Sequence, residues 1–285
     1  MAGKIDLHTH TTASDGSLAP HELVEKALSM GFRAIAITDH DTVDGVSPAC
    51  VRAKDTLLAV IPGIELGAEH PGELHILGLG IDVGNVPLRT ILSALRDGRR
   101  ERNRRMADKL ARLGLPISWT EISMGRQGSA IGRAHIARVL VQKGVVKDMA
   151  DAFERYIGEG RPAYVPRFRL TPKQAVELID FAGGVSVLAH PVQLGLDEPS
   201  LFALCRSLRE YGLWGIEAFH SLHDPAQKAA YIRFAGRLGL VVTGGSDFHG
   251  DNKPGVELGD SVEQGELMEK ALEALKTHVC QWTAG

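Results

Sequence analysis

Short apolar segments recur along this chain, and nearly every one ends in a histidine or a carboxylate. The first runs from Lys4 to Leu7 and is followed at once by His8-Thr9-His10. Residues two apart on an extended chain point to the same side. Both imidazoles can therefore aim at one point while Thr9 turns away, which suits a divalent metal ion. Ala34-Ile35-Ala36-Ile37 ends in Thr38-Asp39-His40-Asp41, a segment around Leu58 to Ile61 leads to Gly63-Ile64-Glu65, and Leu74 to Leu79 carries His75 at its start. Further on, Gly184 to Ala189 ends in His190-Pro191, Gly215 to Phe219 in His220, and Leu240 to Thr243 in Gly244-Gly245-Ser246-Asp247-Phe248-His249. Helical patterns separate most of these segments. Pro20 to Ser29 is one, with Leu23, Val24, Ala27 and Leu28 as its apolar stripe and Gly31 at its end. This β-α-β rhythm predicts a parallel sheet with crossover helices. An open doubly wound sheet binds its ligand in one crevice, whereas a closed α/β barrel collects residues from every strand end. The expected fold is α/β, a barrel-like domain of about seven strands.

From about Arg96 the rhythm changes. Arg96 to Leu113 reads as one long basic helix, the following stretch is helical with Gly-rich joints, and Gly160-Arg161-Pro162-Ala163-Tyr164-Val165-Pro166 reads as an extended return. The expected organisation is a barrel formed by residues 1–95 and 167–285, interrupted by a helical insertion, or cap, over 96–166. Arg96, Arg99, Arg100, Arg102, Arg104 and Arg105 crowd the start of the insertion. A solvated helix face is one reading of this run. At helical spacing, however, Arg99 and Arg102 share one side, as do Arg96 and Arg100. One such side could clamp a phosphate, which guanidinium matches bidentately.

Composition narrows the class. Hydrophobic residues make up 44% and charged residues 24%, as in ordinary globular proteins, and the net charge of −3 predicts no general affinity for nucleic acid or anionic membrane. No stretch is apolar enough to span a bilayer, and the N-terminus lacks a signal peptide's apolar core. Cys50, Cys205 and Cys280 are widely spaced with no Cys-x-x-Cys, which argues against a disulfide framework or thiolate zinc site and suits a reducing cytoplasm. Trp119, Trp214 and Trp282 are too scattered to form a base-stacking platform.

The strand ends supply nine candidate ligands: His8, His10, Asp15, His40, Glu65, His75, His190, Asp247 and His249. A mixed nitrogen and oxygen set suits manganese, iron or zinc and disfavours magnesium or calcium alone. Nine donors exceed what one ion can use, so two or three divalent ions are expected, with a carboxylate bridging a pair. Each histidine taken singly is more often a core or surface residue. Buried charge costs energy unless paired, and folding alone does not explain so many such residues at successive strand ends. Asp39 and Asp41 could simply cap the helix that follows them. His220 falls outside the set, with a supporting or substrate-contacting role open to it. His223 reads as a surface residue, and His21, His70 and His278 as ordinary exposed ones.

His8-Thr9-His10, Thr38-Asp39-His40, Gly63-Ile64-Glu65, Ala189-His190-Pro191 and Ser246-Asp247-Phe248-His249 resemble, in order, the motifs of the polymerase-and-histidinol-phosphatase (PHP) family. The resemblance implies a distorted seven-stranded, TIM-like β/α barrel and a metal-dependent phosphatase. It implies one metal held by His8, His10, Glu65 and Asp247, a second held by Glu65, His75 and His190, and a third by Asp15, His40 and His249. Manganese is the expected metal, with zinc or iron as alternatives. Within the insertion, Gly132-Arg133-Ala134-His135-Ile136-Ala137 and the Gly160–Pro166 segment resemble the branch of 3′,5′-nucleotide bisphosphate phosphatases and 5′-to-3′ exoribonucleases. That likeness implies removal of the 3′-phosphate from adenosine 3′,5′-bisphosphate, giving AMP.

The chemistry expected is attack on phosphorus by a hydroxide bridging two metals, with Asp247 essential and His40 or His249 protonating the leaving oxygen. Arg99, Arg102, Arg133 and His135 are the expected substrate-binding residues. The expected partners are a small nucleotide and, as a second class, short RNA, with no membrane and no obligate protein partner. Exoribonuclease and histidinol-phosphate phosphatase activities are the alternatives within the class. A non-catalytic polymerase-accessory module and an amidohydrolase are the alternatives outside it.

Overall fold

A computed structural model describes residues 3–115, 117–123, 131–166, 168–260 and 262–278. The chain divides into two compact units, one comprising Met1–Thr90 and Arg169–Gly285, the other Ile91–Phe168.

The first unit is built on one seven-stranded sheet whose order follows the chain. Its strands are β1 (Lys4–Thr9), β2 (Phe32–Ile37), β3 (Ala59–Ala68), β4 (Leu74–Leu79), β5 (Val185–Leu188), β6 (Gly215–Phe219) and β7 (Val241–Gly244). The sheet is mixed rather than wholly parallel, because β4 runs antiparallel to both β3 and β5. The cause is the length of β3. It continues past Ile61 through Glu65 to Ala68, leaving only residues 69–73 before β4. A parallel return needs a crossover of a dozen or more residues, so so short a link forces a hairpin. The other neighbouring pairs are parallel. The two edge strands meet where Asp247 N–H donates to His8 O at 2.9 Å and His10 N–H donates to Phe248 O at 2.9 Å. These bonds bring the sheet round into a distorted barrel completed by a bridge rather than a full ladder.

Strands covered on both faces need apolar side chains on both. In β1 one face follows this rule with Ile5 and Leu7, while the other carries Asp6 and His8, equally buried, which therefore need polar partners. Helices form where the sequence supplies caps. Pro20–Ser29 begins after Ala19, whose N–H donates to Glu22 Oε2 at 2.7 Å, and it buries Leu23, Val24 and Ala27. Full burial of such a leucine or valine contributes roughly 1.5–3 kcal/mol. Pro172–Phe181 and Pro225–Leu238 start at Thr171 and Asp224, each in a capping box with a glutamine three residues on.

The second unit is helical and has its own core, which includes Met106, Leu110, Ile136, Leu140 and Ile157. Its helix Val86–Arg112 begins well before Arg96, in the first unit. The arginine run on it is not one solvated face: Arg102 is buried and Arg96 and Arg99 are half-buried, while Arg100, Arg104 and Arg105 are exposed. The first part of the Gly160–Pro166 segment turns, with Ala163 N–H donating to Tyr156 O at 2.9 Å and Tyr164 N–H to Arg161 O at 2.9 Å, and Val165 and Pro166 then run on outside any helix or strand. Cys50 and Cys205 are free thiols, and Cys280 and Trp282 lie outside the described residues. Among the described residues no helix is long and apolar enough to cross a membrane.

Candidate metal centre

The end of β1 does what its alternation predicts. His8 Nε2 and His10 Nε2 approach to 3.1 Å, while the Thr9 hydroxyl turns away and donates to Ala36 O at 2.6 Å. Glu65 reaches the same place from the middle of β3, and its two oxygens face different partners. Oε2 lies 3.4 Å from His8 Nε2, 3.2 Å from His10 Nε2 and 2.9 Å from His40 Nδ1. Oε1 lies 2.8 Å from His75 Nδ1 and 2.9 Å from His190 Nε2. After β7, Asp247 places Oδ1 3.5 Å from His8 Nε2 and 3.2 Å from His10 Nε2. Asp15, from the loop after β1, sits 3.2 Å from His249 Nε2 and 3.8 Å from His40 Nε2.

The structure thus brings all nine strand-end residues together, in the first unit. Among the described residues, three overlapping groups have donor atoms within 4.8 Å of one another: His8, His10, Glu65 and Asp247; His40, Glu65 and His75; and His10, Asp15, His40 and His249. They differ from the implied sets in detail. His10 also joins the Asp15 group, His40 stands with Glu65 and His75, and His190 touches that group through Glu65 Oε1 and through His75 Nδ1 at 3.3 Å. Two of the nine have left-handed backbones, His190 at φ 25° and Asp247 at φ 56°. Such conformations cost about 1–3 kcal/mol and concentrate at functional sites.

The electrostatics fit a cation. Burial alone would push Glu65 up, but the imidazoles of His40, His75 and His8 outweigh it and hold the carboxyl well below its usual range. Asp247 is likewise held well below that range, burial being outweighed by the surrounding imidazoles, His8 first and then His10 and His220. In Asp15 burial is overcome chiefly by His40 and His249. His8 moves the other way: burial would lower it, yet Glu217, Glu65 and Asp247 raise it well above the ordinary histidine value. A field that holds a proton on a fully buried imidazole also attracts a metal ion. Glu65 Oε2, buried and without a hydrogen-bond partner, faces the same point. The nitrogen and carboxylate donors suit a borderline transition ion.

Four supporting groups were not singled out from the sequence as part of the site. Asp39 does not cap a helix; the next helix, Val46–Ala53, starts after Gly45. Instead Asp39 accepts from Thr11 N–H at 2.8 Å, from the Thr11 hydroxyl at 2.7 Å and from the Ser14 hydroxyl, pinning the loop that carries Asp15. Asp6 accepts from Ser246 N–H at 3.0 Å and Gly259 N–H at 2.8 Å, tying β1 to the segment after β7. Glu217, in the middle of β6, accepts from His8 Nδ1 at 3.1 Å and from His190 N–H at 2.7 Å. Lys253 donates to Asp247 Oδ2 at 2.6 Å. A carboxylate inside an otherwise apolar strand was the available signal for Glu217.

His220 is fully buried; its Nδ1 accepts from Leu222 N–H at 3.1 Å and its Nε2 lies 3.7 Å from Asp247 Oδ2. His223 is buried rather than on the surface, because its Nδ1 donates to Ala218 O at 2.9 Å and its ring packs on Tyr231. His70 is half-buried, accepting from Gly72 N–H at 2.9 Å, and His21 is exposed. Of the expected substrate residues, all in the second unit, Arg102 donates to Asn103 Oδ1 at 2.8 Å and Arg133 lies over the Phe153 and Tyr164 rings. His135 is buried with Nδ1 accepting from Gly132 N–H at 3.0 Å, and Arg99 is half-buried.

Residues 6–157 match the PHP domain. The chain is 35% identical to the 5′-3′ exoribonuclease Rnm of Salmonella typhimurium over 257 residues, which covers 89% of this chain and 87% of that protein. It is 33% identical to the 3′,5′-nucleoside bisphosphate phosphatase of Chromobacterium violaceum over 262 residues, covering 90% of each. A crystal structure from Bifidobacterium adolescentis, assigned as a metal-dependent phosphoesterase, superposes with a TM-score of 0.83 at 30% identity, over 98% of this chain and 97% of that one. A family match over more than half the chain, relatives aligned over nearly all of it, and a barrel rim built from these donors lead to one conclusion: the chain belongs to the PHP family and is a metal-dependent phosphoesterase.

Proposed function

We propose that this phosphoesterase removes the 3′-phosphate from nucleoside 3′,5′-bisphosphates, converting adenosine 3′,5′-bisphosphate to AMP and phosphate. The observation that carries the chemistry is Glu65, a fully buried carboxylate whose two oxygens each face two or more imidazoles at 2.8–3.4 Å. We assign His8, His10, Glu65 and Asp247 to one ion, Glu65, His75 and His190 to a second, and Asp15, His40 and His249 to a third. Manganese is the metal we expect, with zinc or iron as alternatives. When bound, such ions acidify water at neutral pH and neutralise charge on phosphoryl oxygens.

The chain's own residues supply the rest. Glu65 and Asp247 stay ionised against burial because imidazoles surround them. His40 and His249 keep 19% and 12% of their side chains exposed, and so can meet a substrate that the buried ligands cannot. Whichever of the two the third ion leaves uncoordinated is assigned to deliver the proton that the leaving ribose oxygen takes up. Arg99, Arg102, Arg133 and His135 are assigned to the second phosphate. Arg133 is the best prepared, since the Phe153 and Tyr164 rings brace its guanidinium.

The likeness to a 3′,5′-nucleoside bisphosphate phosphatase supports this substrate. A 5′-to-3′ exoribonuclease acting on short RNA is the second reading, favoured by the comparable likeness to Rnm. A net charge of −3 speaks for the smaller substrate, because polynucleotide binding draws on cationic surface. The test is phosphate release by manganese-loaded protein from adenosine 3′,5′-bisphosphate, 5′-AMP, histidinol phosphate and a short 5′-phosphorylated RNA. The proposal expects efficient loss of only the 3′-phosphate of the bisphosphate. Turnover confined to RNA or to histidinol phosphate would replace the substrate and keep the phosphoesterase.

A further inference from the structure

Glu217 lies outside all three donor groups, yet one of its oxygens is committed to His8, which belongs to one of them, and the other to His190, which touches Glu65 and His75 of another. Its Oε1 meets His8 Nδ1 at 3.1 Å, on the far side of the ring from the Nε2 that faces Glu65 and Asp247. Its Oε2 accepts from the backbone N–H of His190 at 2.7 Å. An ionised carboxylate only accepts, so the hydrogen between Glu217 and His8 belongs to Nδ1. That bond keeps a hydrogen on Nδ1, so Nε2 is the nitrogen free to present a lone pair to a cation. At His190 the same carboxylate secures a residue whose backbone stands at φ 25°, ψ 63°, outside the comfortable range for a side chain of its kind. The side chain so fixed points Nε2 at Glu65 Oε1, 2.9 Å away.

The surroundings are cut to admit this arrangement. Glu217 and His8 are both wholly buried. Gly245, just past β7, passes so close that a Cβ there would fall 2.1 Å from His8 Cβ and 2.9 Å from Glu217 Oε1. A buried carboxylate that merely filled space would be costly, and a glutamine or an apolar residue would fill it better.

We infer that Glu217 is a positioning residue of the metal centre: one carboxylate that sets the tautomer of His8 and locks the backbone of His190, and so readies a ligand in each of two neighbouring metal positions. The inference rests on the metal assignment proposed above, but not on the substrate. Outer hydrogen bonds of this kind hold a metal-binding imidazole in its tautomer and orientation, and their removal costs about 10–100-fold in metal affinity.

The test is manganese binding by the full-length protein, followed by calorimetry and by metal content after gel filtration, for wild type and Glu217→Gln. The variant keeps the shape of the side chain but turns an N–H₂ toward one of the two donors. The expected result is a dissociation constant about 10–100-fold weaker and less than wild-type metal retained, from a metal-free variant that still unfolds in one cooperative transition. Equal affinity and stoichiometry in the two proteins would overturn the inference and leave the metal assignment standing. A wild type that binds no manganese, zinc or iron would remove that assignment and the inference with it. Should Glu217→Gln fail to fold, imidazole nitrogen resonances of the wild-type protein decide. His8 must carry its hydrogen on Nδ1, and a neutral ring protonated only at Nε2 would overturn the inference.

Discussion

At the residue scale, two side chains make opposite demands on their surroundings. Asp247 is a buried carboxylate kept ionised by imidazoles, with Oδ1 turned to His8 and His10 and Oδ2 held by Lys253. Asp247→Asn keeps the shape and removes the charge. Turnover should fall by at least about 10²–10³-fold, the scale seen when one preorganised electrostatic group is lost from an active site. Full turnover with wild-type metal content would remove Asp247 from the centre. His223 is buried and stays neutral. Burial pushes its pKa down to about 4, despite its bond to Ala218 O and the charge of Glu217. The unfolded chain takes up a proton near the ordinary value of about 6.5, whereas the folded protein resists until about 4. The stability this neutral ring supports is complete above about pH 6.5 and is lost as pH falls toward 4, in total about 3 kcal/mol. His223→Asn, which can still donate to Ala218 O, should lack that loss. Denaturant midpoints of the two proteins should therefore converge, or cross, as pH falls from 7 to 4, and parallel curves would refute the assignment.

At the scale of elements, the sequence disclosed what periodicity and caps encode. Pro20–Ser29 and β6 form where the pattern places them, because apolar spacing, a proline at the first turn and a following glycine act locally. The direction of β4 was not legible. It depends on how far β3 continues, and Pro62-Gly63 within β3 reads locally as a stop. The same division holds at the site. His8, His10, Asp15, His40, Glu65, His75, His190, Asp247 and His249 stand out as polar residues at or just after strand ends, and the structure gathers eight of them into the donor groups and sets His190 against Glu65 and His75. Asp39 and Lys253 serve those residues rather than forming a pattern of their own, and only three-dimensional contact reveals them, while Glu217 is marked in the sequence as a carboxylate in an apolar strand and contact shows what it holds. The approach of the segment after β7 to β1 is equally a tertiary fact, and it can be tested. Gly245→Ala puts a methyl where His8 Cβ and backbone already sit, so one of the two must move. Overpacking of this kind costs about 1–3 kcal/mol, and here the displaced residue is His8, so manganese affinity should fall together with the melting temperature. An unchanged protein would mean that the two segments are less closely locked than the bridge between them requires.

At the scale of the whole molecule, the barrel rim concentrates negative carboxylates and electron-rich imidazoles in a space from which water is largely excluded. Folding without metal must therefore keep protons on groups such as His8 and His249, both held above the ordinary histidine value by the carboxylates around them. Bound metal ions supply the same positive charge without a proton, and they bind only the assembled cluster, since its members come from strands far apart in the chain. A ligand that binds only the folded state stabilises it by about 2.7 kcal/mol at a hundred times its dissociation constant. In a domain of this size each kcal/mol raises the melting temperature by about 2–4 °C, so one filled position should add about 5–10 °C. Manganese should raise the melting temperature, a chelator should reverse the rise, and Glu65→Gln should abolish most of it, because Glu65 faces both the His8–His10 pair and the His75–His190 pair. The rise should also survive moderate salt, since buried charges are screened far less than exposed ones. A rise that persists in Glu65→Gln, or that disappears on adding salt alone, would place the stabilising ions on the surface rather than in the barrel rim.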